Sequence, residues 1–318
     1  MATGLITERD DDMNELEQEN LLQRLRRPTG PIDVVLDTDA YNEIDDQFAI
    51  AYLLQSGHKL RVKALYAAPF HNEKSNGPED GMVKSYDEIL RILKVMRREE
   101  MQPLTFQGSR AYLPSETEAV ASPAAEHLAK LAMEYTPEKP LYVTAIGAIT
   151  NVASAILMNP AIIDRIVVVW LGGHSREWHD TEEFNMMQDV AAARVVFGCG
   201  AAVVQLPCTG VVSAFSVSNA ELRHWLLGKN ELATYLAEAT LREMGEDEEK
   251  FCRSRIIWDV TAVAWLLNDG TTLDSLEHSP IPEYDHHYAY DRTRHLMRYV
   301  YHINRDALLQ KLVDALLK

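Results

Sequence analysis

The sequence predicts an open, mostly parallel, Rossmann-like α/β sheet, covered by helices on both faces, in one domain with a helical C-terminal part. Three observations carry this. From Ile32 onward short apolar runs alternate with helical patterns, the signature of a parallel sheet. The runs are nearly continuous in Val, Ile and Leu, as strands buried on both faces must be. The unusual polar residues gather just after the strands, where open α/β sheets bind ligands.

Residues 1–12 are polar and acidic and are expected to fray. Residues 13–26 place Leu16, Leu21, Leu22 and Leu25 near one helical stripe, and Pro28, Gly30 and Pro31 end that helix. Residues 1–31 therefore read as a helical extension and 32–318 as the α/β domain. Candidate strands are 32–36, 62–66, 104–106, 141–145, 165–171 and 202–206. Helical stretches fall at 45–56, 84–97, 123–135, 150–158 and 189–198, with Ser122, Thr150 and Asp189 as plausible N-caps. The polar, Gly/Pro-containing stretch 70–87 reads as a loop, placed to act as a lid. Beyond Val217, helices are expected at 219–227, 231–244, 257–268 and 305–317, and a hairpin at 286–303 around Asp291-Arg292-Thr293.

Composition narrows the function. With 47% hydrophobic residues in 318, the chain can bury a large core, and its net charge of −17 argues against nucleic acid or an anionic membrane as partner. The three cysteines, Cys199, Cys208 and Cys252, are odd in number and lack CxxC spacing, which points to reduced thiols in a cytoplasm. The N-terminus lacks the basic start and apolar centre of a signal peptide, and no apolar run approaches the ~20 residues needed to cross a bilayer.

The acidic segment after the first strand is the strongest chemical signal. Asp37, Asp39, Glu43, Asp45 and Asp46 put five carboxylates within ten residues. At the mouth of a buried strand they would repel one another and raise each other's pKa values, which a hard divalent cation relieves. Oxygen-only ligands favour Ca²⁺ or Mg²⁺, and no His/Cys cluster has zinc or iron spacing. Acids favouring a helix N-terminus would explain Asp45 and Asp46, but not Asp37 and Asp39. Asp37-Thr38-Asp39 after a strand also suits a phosphatase of the haloacid dehalogenase type, with Asp37 as nucleophile. That reading gives Asp45, Asp46 and Glu183-Phe184-Asn185 no role.

The segment Val34-Val35-Leu36-Asp37-Thr38-Asp39 followed by Asp45-Asp46 resembles the DxDxxxDD signature of nucleoside hydrolases. Ala67-Ala68-Pro69-Phe70-His71-Asn72, Ile146-Gly147-Ala148-Ile149-Thr150-Asn151, Gly172-Gly173 with Glu183-Phe184-Asn185 and Asp189, and Trp258-Asp259-Val260-Thr261 are similar to that family's further stations, in order along the chain. The resemblance implies that Asp39, Asp46, Asp259 and the carbonyl of Ile146 hold Ca²⁺. It implies that Asp39 is the general base toward a water on the metal, and that Asp45, Asn72, Glu183 and Asn185 grip the ribose hydroxyls. It further implies a ribonucleoside substrate and a homo-oligomer, dimer or tetramer.

Two departures stand out. The loop between Asp39 and Asp45 is two residues longer than in the family pattern and adds Glu43 as a contact. Trp258 stands where some members carry a leaving-group His. It can stack on a base but cannot donate a catalytic proton. Replacements for that His are sought among His71, His174, His179, His286, His287 and Tyr288, and Trp258 with His174 is the favoured pair of leaving-group contacts. A binding protein that kept this pocket without turnover is the alternative reading.

Overall fold

The computed structural model describes residues 15–245 and 251–318. Eight strands form one sheet: β1 (Ile32–Thr38), β2 (Leu60–Ala67), β3 (Thr105–Gln107), β4 (Leu141–Ala145), β5 (Ile166–Leu171), β6 (Ala202–Leu206), β7 (Thr272–His278) and β8 (Leu296–Ile303). Their spatial order is β3-β2-β1-β4-β5-β6-β8-β7. Every pairing is parallel except β8 with β7. β4 and β5 are buried along their whole length, as their apolar runs require. One core lies on each face of the sheet.

The order reverses at β1, which pairs with β2 on one side and β4 on the other. At such a switch point the connections leave in opposite directions and open a crevice beyond the strands' carboxyl ends. The residues that follow β1 and β4, Asp39 and Ile146, line that crevice.

The helix Glu15–Arg24 sets Leu21 into the same core as the sheet, and Leu25 just beyond it does likewise. Arg24 reaches Asp164 at 3.2 Å, which ties this segment to the rest of the chain. The start of the expected helix, residues 13–14, lies outside the described residues.

Three sequence expectations change. Residues 78–87 are helix, not loop: the helix runs Pro78–Val95, with Pro at its first turn and Glu79 and Asp80 beside the positive helix end. Gly81 reads as loop chemistry in the sequence, but a Cβ there would lie 2.0 Å from the carbonyl oxygen of Phe70. That glycine allows close packing and does not break the helix. Thr150 is the first residue inside its helix rather than the cap, and its hydroxyl donates to Asp189 at 2.7 Å. Ser122 and Asp189 do cap theirs.

Residues 286–303 form no hairpin, although the turn exists: Asp291 Oδ1 accepts from the amide and hydroxyl of Thr293. β8 pairs instead with β7, and Tyr288–Ala289 pairs with Ile281–Pro282. The buried side chains Met297, Tyr299 and Val300 of β8 explain the choice, because pairing at the sheet gives them a core that a free hairpin lacks.

Gly81→Ala is expected to destabilise the protein by about 1–3 kcal/mol through overpacking, although Gly to Ala inside an open helix would stabilise it by up to ~1 kcal/mol. Denaturant unfolding measures the sign.

Candidate active site

β1 ends at Thr38, and a turn from Asp39 carries the chain, with the Asn42 amide donating to the Asp39 carbonyl at 2.7 Å, into the helix Asp45–Gln55. That helix starts on Asp45 and Asp46. Far along the chain a second helix, Val260–Leu267, starts after Asp259. The two helices pack against each other. Asp45, Asp46 and Asp259 each offer an oxygen within 4.8 Å of the others. Neither helix is capped by a side chain, so Asp259 sits at a cap position without serving as the cap. Its carboxylate is free for the cluster, and both positive helix ends face the acids.

Asp39, just past β1, lines the same cavity and feels Asp45, but is not one of the three acids whose oxygens lie within 4.8 Å of one another. It rests against Gly147 after β4, where a Cβ would lie 3.0 Å from Asp39 Oδ1. Ile146, just before, donates its amide to the Asp37 carbonyl at 2.8 Å and turns its own carbonyl to the Asn185 amide at 3.3 Å. All four acids are buried. Burial, and then Asp45, push Asp39 well above the usual carboxylate range. Burial followed by Asp39 and Asp45 does the same for Asp46, and burial followed by Asp45 for Asp259. Asp45 rises to about 7 through burial and then Glu43, with Arg255 opposing.

Asp39 Oδ2 and Asp45 Oδ1 are buried without a hydrogen-bond partner. Orphaned anionic oxygens among like charges are costly unless protonated or bound by a cation. The donor set is all oxygen, so the residues fit a hard divalent ion.

Beside the acids opens a cavity of about 370 Å³. The residues that the family resemblance implies lie around it, Asp39, Asp45, Asp46, Ile146, Asp259, Asn72, Glu183 and Asn185, together with His174 and Trp258. Asn72 donates to Asn42 Oδ1 at 2.6 Å. The Glu183 carboxylate is buried and accepts from the amides of Gly173, Asn185 and Met186 at 2.8, 3.0 and 2.9 Å. Glu183 is thus the N-cap of the helix Phe184–Gln188, held rigidly at the cavity wall. Asn185 spends its amide on the carbonyls of Ile146 and Leu171.

Other sequence candidates sit elsewhere. Asp37 does not line the cavity: it is buried in the sheet, and Asn151 donates to its Oδ1 at 2.7 Å. A phosphatase nucleophile must meet substrate, so the dehalogenase-type reading fails on that position. Glu43 reaches the cavity but pairs with Arg255 at 3.0 Å. His71, His179, His286, His287 and Tyr288 do not line it. Sequence reasoning missed Cys208 and Thr209, which line the cavity just beyond β6. Their position at a strand's carboxyl end was the available signal.

Residues 34–300 match the family model described as inosine-uridine preferring nucleoside hydrolase. The chain belongs to that family, which makes it a hydrolase acting on nucleosides; the family is metal-dependent, and this chain carries a buried acidic cluster. It is 25% identical over 260 residues to the pyrimidine-specific ribonucleoside hydrolase RihA of Salmonella arizonae, covering 74% of this chain and 79% of that one. Its fold matches a plant nucleoside hydrolase, the PpNRh1 enzyme, with a TM-score of 0.73 at 17% identity over 90% of this chain and 99% of the other. It also matches a purine-preferring ribonucleoside hydrolase from Gardnerella vaginalis, with a TM-score of 0.68 at 18% identity over 90% and 98% of the two chains. The open, mostly parallel sheet expected from the sequence is present, with eight strands, and it is the fold these enzymes share. No described helix is long and apolar enough to cross a membrane.

The raised acids set a pH signature. A carboxyl group whose folded pKa lies above its unfolded value of about 4 stabilises the fold below that value and loses this as pH rises through the folded pKa. In chelator, the melting temperature should therefore fall between about pH 4 and pH 7, the range spanned by Asp45. A saturating divalent cation should flatten that fall. Thermal melts across pH, with and without chelator, measure both.

Proposed function

We propose that the chain hydrolyses the N-glycosidic bond of ribonucleosides to ribose and free base, with Ca²⁺ held by Asp39, Asp46, Asp259 and the Ile146 carbonyl. The observation that carries this reading is the buried, uncompensated carboxylate cluster opening onto a cavity of amides and carboxylates. Ca²⁺, when bound, supplies the charge that keeps these acids ionised and a Lewis-acid centre.

The chain's own residues divide the remaining work. Asp39 Oδ2, which has no partner, is the general base that takes a proton from the attacking water. Asp45, Asn72, Glu183 and Asn185 hold the ribose hydroxyls. The amide nitrogen of Asn185 is committed to two carbonyls, so its Oδ1 is the atom offered to a hydroxyl. Glu183 is pinned by three backbone amides and cannot swing away when the sugar binds. Anionic and neutral oxygens around the ring favour the oxocarbenium-like transition state. They also discriminate ribose from deoxyribose, because a missing hydroxyl leaves a buried polar group unmet. Trp258 offers its face to the base.

Residues 32–318 form the catalytic domain in this reading, with the preceding helix as an extension. Cys199 and Cys208, both buried, suit a reducing cytoplasm. Salvage of purine or pyrimidine bases is the proposed role, and a homo-oligomer the proposed assembly.

The test is release of reducing sugar from a panel of purine and pyrimidine ribonucleosides, with and without chelator. Release that chelator abolishes and Ca²⁺ restores is expected. Asp39→Asn should lower kcat by about 10²–10⁴-fold with an unchanged circular dichroism spectrum; near-wild-type turnover would remove Asp39 from the reaction.

A further inference from the structure

The departing base needs a partner of its own. As the C1′–N bond breaks, its electron pair stays on the base, and a hydrogen-bond donor there lowers the barrier. Trp258 offers a stacking surface at the position where a His could have donated a proton. Several of the cavity's other donors are spent, while the Trp258 indole and the Thr209 hydroxyl also line it. Asn185 gives its amide to Ile146 and Leu171, Asn72 gives to Asn42, and Cys208 Sγ lies 3.7 Å from Glu183 Oε1. The carboxylates only accept.

His174 is held in place with a donor to spare. The Thr209 amide donates to its Nδ1 at 3.3 Å. A neutral imidazole that accepts at Nδ1 carries its hydrogen on Nε2. Among the described residues no hydrogen bond takes that Nε2, and the side chain lines the cavity. The ring is also held in place. The Cys208 amide donates to the Gly173 carbonyl at 2.8 Å and the Ser175 amide to the Thr209 carbonyl at 3.0 Å, so the segments after β5 and β6 are laced together on both sides of His174. Trp178 meets the imidazole edge-on at 5.8 Å. Burial keeps the ring's pKa below its ordinary value, with Asp180 opposing, which favours the neutral donor form.

We infer that His174 donates its Nε2–H to an acceptor, a ring nitrogen or carbonyl oxygen, on the leaving base. The inference rests on the nucleoside hydrolase reading and adds a leaving-group determinant to it. The balance is simple. Water oxygen bonds C1′ and gives one proton to Asp39. The base leaves with the C–N electron pair, stabilised by the Nε2–H, and takes a proton from solvent. Asp39 returns its proton to solvent. The site thus selects bases that present an acceptor to His174, while leaving groups that are stable anions gain nothing from it.

The experiment compares wild type, His174→Ala and His174→Gln, each with saturating Ca²⁺, on two substrates: the better of inosine and uridine, and p-nitrophenyl β-ribofuranoside. The second shares the ribose but leaves as a stable phenolate. His174→Ala is expected to lower kcat/KM for the nucleoside by about 10²-fold, the lower range for one positioned hydrogen-bond donor, and to leave the nitrophenyl riboside unchanged. His174→Gln, which keeps an N–H donor, should recover part of the loss. Equal losses on both substrates, or none on either, overturn the role. Wild-type enzyme inert toward both would instead fell the hydrolase reading itself.

Discussion

Four carboxylates buried where two helix N-termini meet the ends of β1 and β4 form the constraint on which the rest depends. Asp39, Asp45, Asp46 and Asp259 cannot all be charged there without a counter-ion, and burial drives every one of them upward. Such an arrangement survives only if something else stabilises it. The helix ends contribute part, and the cation proposed above would complete it through its oxygen ligands. Thr38, Gly147 and the packing of the helices Asp45–Gln55 and Val260–Leu267 all serve to hold these oxygens close.

Around that charge the sheet distributes complementary tasks. β1 delivers the acid proposed as base. β4 delivers a backbone carbonyl. β5 leads to the glycines whose amide fixes Glu183, and β6 leads to the Thr209 amide that orients His174. Each comes from the carboxyl end of a different strand, so rigid strands set their separations and short loops set their orientations. The extended loop after Asp39 is integrated into this edge. Asn42 orders Asn72, its carbonyl accepts from Lys74 at 2.6 Å, and Glu43 pairs with Arg255. The two extra residues thus brace the cavity rim.

Much of this was legible in the sequence. Strand positions followed from apolar runs, and their carboxyl ends carried the polar residues, so Asp39, Asn72, Ile146 and Glu183 could be placed at one edge before any coordinates. The failures have local physical causes. Gly81 looked like a loop signal because a sequence cannot show that Phe70 packs onto it. Residues 286–303 looked like a hairpin because the turn at Asp291 is real, while the preferred partner of β8 is set by the core it can bury against. Thr150 looked like a cap, but its hydroxyl is drawn to Asp189 from a different element.

By itself, then, the sequence determined the sheet and the polar edge, because these depend on periodicity and short spacing, and it pointed to the family through the resemblance of its motifs. Tertiary structure alone decided the roles of individual atoms. Asp37 and Asp39 are two residues apart and would share a face if β1 continued, yet one is consumed by Asn151 inside the sheet and the other faces the cavity, because the strand ends at Thr38 and the turn after it redirects Asp39. Asp259 reaches the cluster only because two helices distant in sequence pack together. His174 is set apart from the other histidines by its place in the cavity lining and by the Thr209 amide that follows the neighbouring strand. Such facts are set by contacts between distant segments, which local pattern does not encode.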